Sequence, residues 1–242
     1  MPDVSEARLR AFAASVLRAA GLQGEDADVA ATCLVTANLR GVDSHGVLRL
    51  MQYADSLAGG EINAHPDVRV VERSGATALV DADFGYGFRP SILAMDTAVE
   101  IAREYGVGLV GVRDSHHFGM AATYALRAAE HELVGAVFTN AMPVLAAPGG
   151  AQPVVGNNPV AFAIPRQPPN EPIVLDMALS QVAFGYVRLA AAENRPIPIG
   201  WARDGRGQAT TDAAAASVVA RPRPSRAQPS GIERPSAAAR RT

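Results

Sequence analysis

The segment Arg40-Gly41-Val42-Asp43-Ser44-His45-Gly46-Val47-Leu48-Arg49 brings a hydroxyl, an imidazole and a guanidinium into one short stretch. An imidazole exchanges a proton near neutral pH, and a planar guanidinium can hold a carboxylate by two parallel hydrogen bonds. If a helix starts near Ser44, His45 and Arg49 stand four positions apart on one face, where a single substrate could touch both. That pairing suits proton transfer on a small carboxylic acid. Read alone, the same residues also fit a plain helix cap at Ser44, with His45 and Arg49 on a solvated face.

A second polar segment, Asp114-Ser115-His116-His117-Phe118-Gly119, follows the apolar run Val107 to Val112, which reads as a buried strand. It precedes an apolar-periodic stretch, Ala121 to Ala129. Polar groups between a strand end and a helix start are where α/β proteins place ligands. His116 and His117 are adjacent, so in an extended chain they point to opposite faces and would not chelate one ion; no metal site is expected. Asp43-Ser44-His45 looks superficially like a hydrolase triad. However, no G-x-S-x-G elbow is present, and three consecutive residues do not readily form the required chain of hydrogen bonds. A third segment comprises Gly149-Gly150, then Gly156-Asn157-Asn158-Pro159 and Val174-Leu175-Asp176-Met177-Ala178.

Taken in order, Arg-Gly-Val-Asp-Ser-His-Gly (40–46), Ser-His-His-Phe-Gly (115–119), Gly-Asn-Asn-Pro (156–159) and Val-Leu-Asp-Met-Ala (174–178) resemble the malate/L-lactate dehydrogenase family of NAD(P)-dependent oxidoreductases. This family is distinct from the Rossmann-type lactate dehydrogenases, and the resemblance runs from about residue 4 to about residue 216. It implies an α/β fold: a helical N-terminal layer plus a non-Rossmann mixed-sheet NAD(P)-binding domain, incomplete at the C-terminus. It also implies NAD or NADP as cofactor, a small 2-hydroxy acid or 2-oxo acid as substrate, and a homodimer in full-length relatives. By the same comparison His117, Phe118, Gly119, Met120 and Ala121, with Asn140, Asp176, Met177 and Ala178, contact the cofactor, while Asn157 lines the substrate side. For the chemistry, His45 reads as proton donor in reduction and acceptor in oxidation, Ser44 as its relay and Arg49 as the carboxylate clamp. The resemblance offers His116 as a second acid/base candidate. Departures from the family pattern are Asn157 in place of a threonine, Phe184-Gly185-Tyr186 in place of a basic residue and Gly-Lys, and the loss of the relatives' functional lysines.

The chain has 242 residues, 48% of them hydrophobic and 19% charged, enough for one large or two smaller domains with a real core. No secretory signal or bilayer-spanning window is expected. Cys33 is the sole cysteine, which fits a reducing cytoplasm, and its phase with Val29 and Ala37 assigns it to the core. Every basic residue is arginine, which excludes a Walker-type phosphate loop and lysine Schiff-base chemistry. Gly106-Val107-Gly108-Leu109-Val110-Gly111 matches G-x-G-x-x-G, but follows a helix and lies within a strand-like run; its glycines read as a helix stop and a close-packing site.

Helical spacing predicts helices from Ser5 to Gly21, with Phe12, Val16, Leu17 and Ala20 inward and a capping box at Asp3–Glu6, from Glu25 to Leu39, and from Ser44 to before Gly59-Gly60. Alternation predicts a hairpin, 68–72 and 76–81, around Ser74-Gly75. A helix from Pro90 to Tyr105, the strand at 107–112, a helix from Ala121 to His131, strands at 134–139, 160–164 and 173–177, and a helix from Gln181 to Glu193 complete the pattern. The segments are therefore 1–62, helical; 63–216, cofactor- and substrate-binding; and 217–242, a disordered tail. This tail carries six arginines against the single acid Glu233 and abounds in Pro, Ser and Ala. It reads as the product of a shifted reading frame on a C-terminally truncated enzyme. The alternative functions are a non-catalytic remnant that binds ligand weakly or self-associates, and a nucleic-acid-associated protein acting through its basic tail, although no aromatic residues are interleaved there to stack on bases.

Overall fold

The computed structural model describes residues 4–147 and 150–219. Helix α1 (Glu6–Ala19) buries Ala13, Ala14 and Leu17 against α2 (Gly24–Leu39), whose Ala27, Ala30, Ala31, Cys33 and Leu34 face the same cluster. Phe12, expected inward, is 59% exposed, because the small alanines at 13 and 14 let α1 lie close to its neighbour and shift its buried stripe. Ser5 stands at the N-cap position without a side-chain cap, and Asp3 of the expected capping box lies outside the described residues. Gly21, at φ +106, ends the helix as its type suggests.

The largest departure from the sequence reading follows α2. No α-helix starts at Ser44. Instead, two single turns of 3-10 helix, Asp43–His45 and Val47–Arg49, precede α3 (Leu50–Ala58). The hairpin is formed by β1 (Arg69–Ser74) and β2 (Thr77–Asp81), with Gly75 at φ +52 in the turn. From β2 the chain passes through α4 (Phe88–Tyr105) to β3 (Leu109–Arg113), which lies parallel to β2. Gly106 caps α4 at φ +82, and a Cβ on Gly108 would lie 2.1 Å from the Ala98 carbonyl oxygen. Those glycines thus serve as a stop and a close contact, not as a phosphate loop. β3, expected to be buried, is an edge strand with Leu109 67% exposed.

Helix α5 (Ala122–Ala129) and β4 (Gly135–Phe138) follow, then β5 (Pro143–Ala146) and β6 (Pro153–Gly156), and then β7 (Val160–Ile164) and β8 (Ile173–Met177). β4, β7 and β8 form an antiparallel sheet in that order. Its inner face is made of small residues: Ala161 and Ala163 meet Ala121, Ala125 and Ala129 of α5. Further on lies α6 (Phe184–Ala192), within the helix expected from Gln181 to Glu193, and then the short strands β9 (Ala202–Arg203), β10 (Ala209–Thr210) and β11 (Val218–Val219), which the sequence pattern did not reveal. They form a five-stranded sheet with β5 and β6 in the order β10-β9-β11-β5-β6.

Contacts divide the described residues into two compact units. One comprises 4–143 with 156–178, the other 144–155 with 179–219. The second has its own core of Leu145, Val187, Ala190, Ile197, Ala202 and Val219. This division is cut differently from the sequence segments 1–62, 63–216 and 217–242; of the expected disordered tail 217–242, Val218 and Val219 are buried in β11, and the part beyond residue 219 lies outside the described residues. Among the described residues no helix is long and apolar enough to cross a membrane.

The seat of α5 depends on Gly135, where a Cβ would lie 2.2 Å from the Ala125 carbonyl oxygen. Backbone cannot yield as a flexible side chain can. Gly135→Ala should therefore cost about 1–3 kcal/mol of stability, as overpacking of a closed core does, measurable as a lower urea midpoint with an unchanged slope.

Candidate active site

All residues singled out from sequence for chemistry or cofactor contact lie in the first unit. Beyond the strand ends, the chain continues to pair as a parallel ladder: Ala82 N–H donates to Arg113 O, Phe84 N–H to Asp114 O, His116 N–H to Gly85 O and Gly87 N–H to His117 O. Asp83, Phe84 and Asp114 take positive φ here, backbone states that non-glycine residues occupy only under tertiary compulsion. Gly87 has no room for a side chain, because a Cβ would lie 2.6 Å from that of Phe118. This ladder delivers His117 to the helical layer.

There the His117 ring stacks beside that of His45, with centroids 5.6 Å apart and planes 18° from parallel. The Tyr53 hydroxyl lies 2.6 Å from His117 Nδ1, and the Gly119 backbone N–H donates to the same nitrogen at 3.1 Å. Burial pushes the Tyr53 phenol above its ordinary value, so the hydroxyl keeps its proton and can donate. A nitrogen that receives an N–H is unprotonated, which places the proton of the neutral ring on Nε2. Tyr53 is itself fixed by Tyr86, whose hydroxyl donates to Tyr53 O at 2.7 Å, and by edge contacts with Tyr86 and Phe88.

On the other side of the pair, Ser44 Oγ is 3.0 Å from His45 Nδ1, and Arg49 Nε donates to the Ser44 carbonyl at 2.6 Å. His45 and Arg49 thus share one neighbourhood, but through consecutive 3-10 turns and this backbone bond, not through one face of an α-helix. Desolvation and the Arg49 cation push His45 down to about 4, while desolvation, Arg49 and then His45 push His117 down to about 3. Both imidazoles are neutral at physiological pH.

His116 is exposed, and its side chain has no partner among the described residues; of the adjacent histidines, the one brought to the cluster is His117. Met120 and Ala121 are buried in the packing around α5, leaving their backbone as what they can offer a ligand. Asp176 on β8 accepts the Ala122 N–H at 2.7 Å, tying the 117–121 segment to 176–178, and burial raises its carboxyl above the ordinary value. Asn140 is exposed, and Asn157 is half-buried, its side chain without a hydrogen bond among the described residues. Its neighbour Asn158, at φ +30, accepts the Ala141 N–H. Tyr53 escaped the sequence reading, although its position four residues beyond Arg49 on α3 was a usable signal. Asn38, whose side chain bonds to both 3-10 turns, gave none. Among the described residues no group of three potential metal ligands occurs.

A family profile described as malate/L-lactate dehydrogenase matches residues 4–228. The malate dehydrogenase of Pyrococcus abyssi is 41% identical over 202 residues, which are 84% of this chain and 55% of that protein. Among solved structures, malate dehydrogenase from Pyrococcus horikoshii OT3 superposes with a TM-score of 0.80 at 36% identity, covering 90% of this chain and 60% of that one. The Δ1-piperideine-2-carboxylate reductase from Pseudomonas syringae gives 0.85 at 32% identity, covering 90% and 67%. The chain thus spans little more than half the length of the first of these relatives.

The depressed histidines have a consequence for stability. The unfolded imidazoles bind protons near 6.5, and the folded ones only near 4 and 3. Stability present above pH 6.5 is therefore lost as pH falls through that window, where the unfolded chain holds more protons. Asp176, shifted upward, opposes this at the acid end. Urea midpoints should fall from pH 7 to pH 4, and the His45→Gln/His117→Gln variant should show a flatter profile. An equal slope in both proteins would exclude the two imidazoles as its source.

Proposed function

The chain belongs to the malate/L-lactate dehydrogenase family, and from that premise we propose that it is an oxidoreductase interconverting a small 2-hydroxy acid and its 2-oxo acid with NAD or NADP. The observation that carries this reading is the neutral His45–His117 pair beside a guanidinium. His117, with Nδ1 occupied, presents Nε2–H as a hydrogen-bond donor able to polarise a substrate oxygen. His45 exchanges the proton: with Nδ1–H donated to Ser44 Oγ, Nε2 is free to accept the substrate hydroxyl proton in oxidation and to return it in reduction. Arg49 is anchored through Nε to the Ser44 carbonyl and, at 3.4 Å, through Nη1 to Gln52 Oε1, so that Nη2, with the remaining Nη1 proton, is what it offers a substrate carboxylate. An anion placed there offsets the charge that depresses both imidazoles and so eases proton uptake by His45.

A nicotinamide cofactor, when bound, supplies the hydride chemistry. The residues present fit such a group in three respects. Thr123 Oγ1, in the first turn of α5, is buried without a partner among the described residues. Gly119 at φ +80 brings its backbone within reach of a ligand. Asp176 bonds Ala122 through Oδ2 alone, leaving Oδ1 as an acceptor for hydroxyl or carboxamide donors. On this reading His117 to Ala121, Asn140 and Asp176 to Ala178 hold the cofactor, and Asn157 faces the substrate. His45→Ala should lower turnover about a hundredfold or more, as the loss of a general acid–base group does. Arg49→Ala should chiefly raise the substrate KM. NADH and NADPH fluorescence titrations, followed by assays with 2-hydroxy acids, provide the measurement; near-wild-type kinetics in both variants would defeat the assignment.

One observation favours a second reading, self-association. The outer face of the β4-β7-β8 sheet consists of Ala136, Phe138, Val160, Phe162, Ile164, Ile173, Leu175 and Met177, without a charge. Phe138 is 65% exposed and Ile173 54%. Such a face offers on the order of 500 Å² per copy, so that two copies packed face to face approach the area that a specific dimer needs. Light scattering should then show a dimer that Leu175→Arg converts to monomer; a monomeric wild-type chain would refute this reading.

A further inference from the structure

Asn38 lies near the end of α2, and both ends of its side-chain amide are engaged. Oδ1 accepts the Val47 backbone N–H at 2.9 Å, and Nδ2 donates to the Asp43 carboxylate at 2.5 Å. Asp43 and Val47 belong to the two 3-10 turns that flank Gly46, the residue after His45. The amide also fills the space beside Gly46, where a Cβ would lie 2.2 Å from Oδ1 and 2.4 Å from Cγ. The backbone is folded over the same point: Gly41 N–H donates to Asn38 O and Val42 N–H to Ala37 O. Three contacts therefore converge on one side chain, with the backbone turn beside it, and what they hold in place is the peptide carrying Ser44 and His45.

We propose that Asn38 is the positioning residue of the His45 segment, setting the place of the imidazole opposite His117 and of Arg49 beside both. His117 is held independently, by Tyr53 and Gly119, so the separation of the two rings is decided on the Asn38 side. An amide suits the task because it is at once donor and acceptor and adds no charge next to Arg49. A carboxylate in its place keeps the acceptor for Val47 but sets two like charges against each other at Asp43. The catalytic consequence rests on the function proposed above; the positioning itself does not.

The test compares wild type with Asn38→Ala, Asn38→Asp and the exchange Asn38→Asp/Asp43→Asn, which keeps the acceptor for Val47 and reverses the donor in the pair. The readout is the ¹⁵N and ¹H NMR titration of the histidine side chains. His45 should move toward its ordinary titration range by about a unit in Asn38→Asp, as its place beside Arg49 is lost, and return in the exchange, while His117 stays unchanged. If Asn38→Ala does not fold, the last two variants carry the comparison. Where the wild-type chain turns over substrate, kcat should fall about tenfold in Asn38→Asp and recover in the exchange, with nucleotide affinity constant. An inactive wild-type chain would count against the proposed function and leave the titration intact. A His45 titration identical in wild type, Asn38→Asp and the exchange would overturn the positioning role, even if thermal stability falls.

Discussion

The hydrogen bond joining the Tyr53 hydroxyl to His117 Nδ1, at 2.6 Å, connects the helical layer to the loop leaving β3, and the rest of the site is arranged around it. Because burial keeps the phenol protonated and Gly119 N–H approaches the same nitrogen, ring orientation, tautomer and charge are fixed together. Each partner is held in turn. Tyr86 grips the Tyr53 carbonyl, and the parallel ladder of 82–87 with 113–117 carries His117 to its place. Tyr124 stacks on Phe118 immediately after it and donates its hydroxyl to the Phe118 carbonyl. An imidazole fixed by three chain segments has little rotameric freedom left to lose when a substrate arrives, which is the physical content of preorganisation.

One cation beside two imidazoles sets the electrostatics. Burial depresses both rings, and Arg49 beside them adds to the effect. The arrangement is unfavourable to a proton on either ring and would favour an anion beside the guanidinium. The two turns that bring Arg49 close are short and irregular, and their register depends on polar contacts from α2 instead of on an intrahelical ladder.

Close packing by small residues plays the corresponding part on the sheet side. Ala121, Ala125 and Ala129 against Ala161 and Ala163, with Gly135 admitting the Ala125 carbonyl, bring α5 near enough to the sheet for Asp176 on β8 to reach the Ala122 N–H. A larger residue at any of these contacts would lift the helix and separate the two segments that this bond unites. The same strands leave an opposite face that is wholly apolar, a pattern that follows from their period of two with hydrophobic residues at both phases.

The helices α1, α2, α4 and α5, the hairpin and strands β4, β7 and β8 were legible in the sequence, because each buries a face whose period is written in consecutive residues. The four motifs were legible too, since chemistry restricts residue type and order. Tertiary structure decided the rest. The 43–49 segment reads as a helix start, yet forms two 3-10 turns because Asn38 and the backbone end of α2 supply hydrogen bonds that no local pattern announces. Of His116 and His117, residue type gives no choice; the ladder with 82–87 turns the second toward His45 and Tyr53. Tyr53 became part of the site only when α3 met the β3–α5 loop, 64 positions away in the chain. The short strands β9, β10 and β11, two residues each, are too brief to carry a period, and form only because their partners in the sheet satisfy their backbone groups.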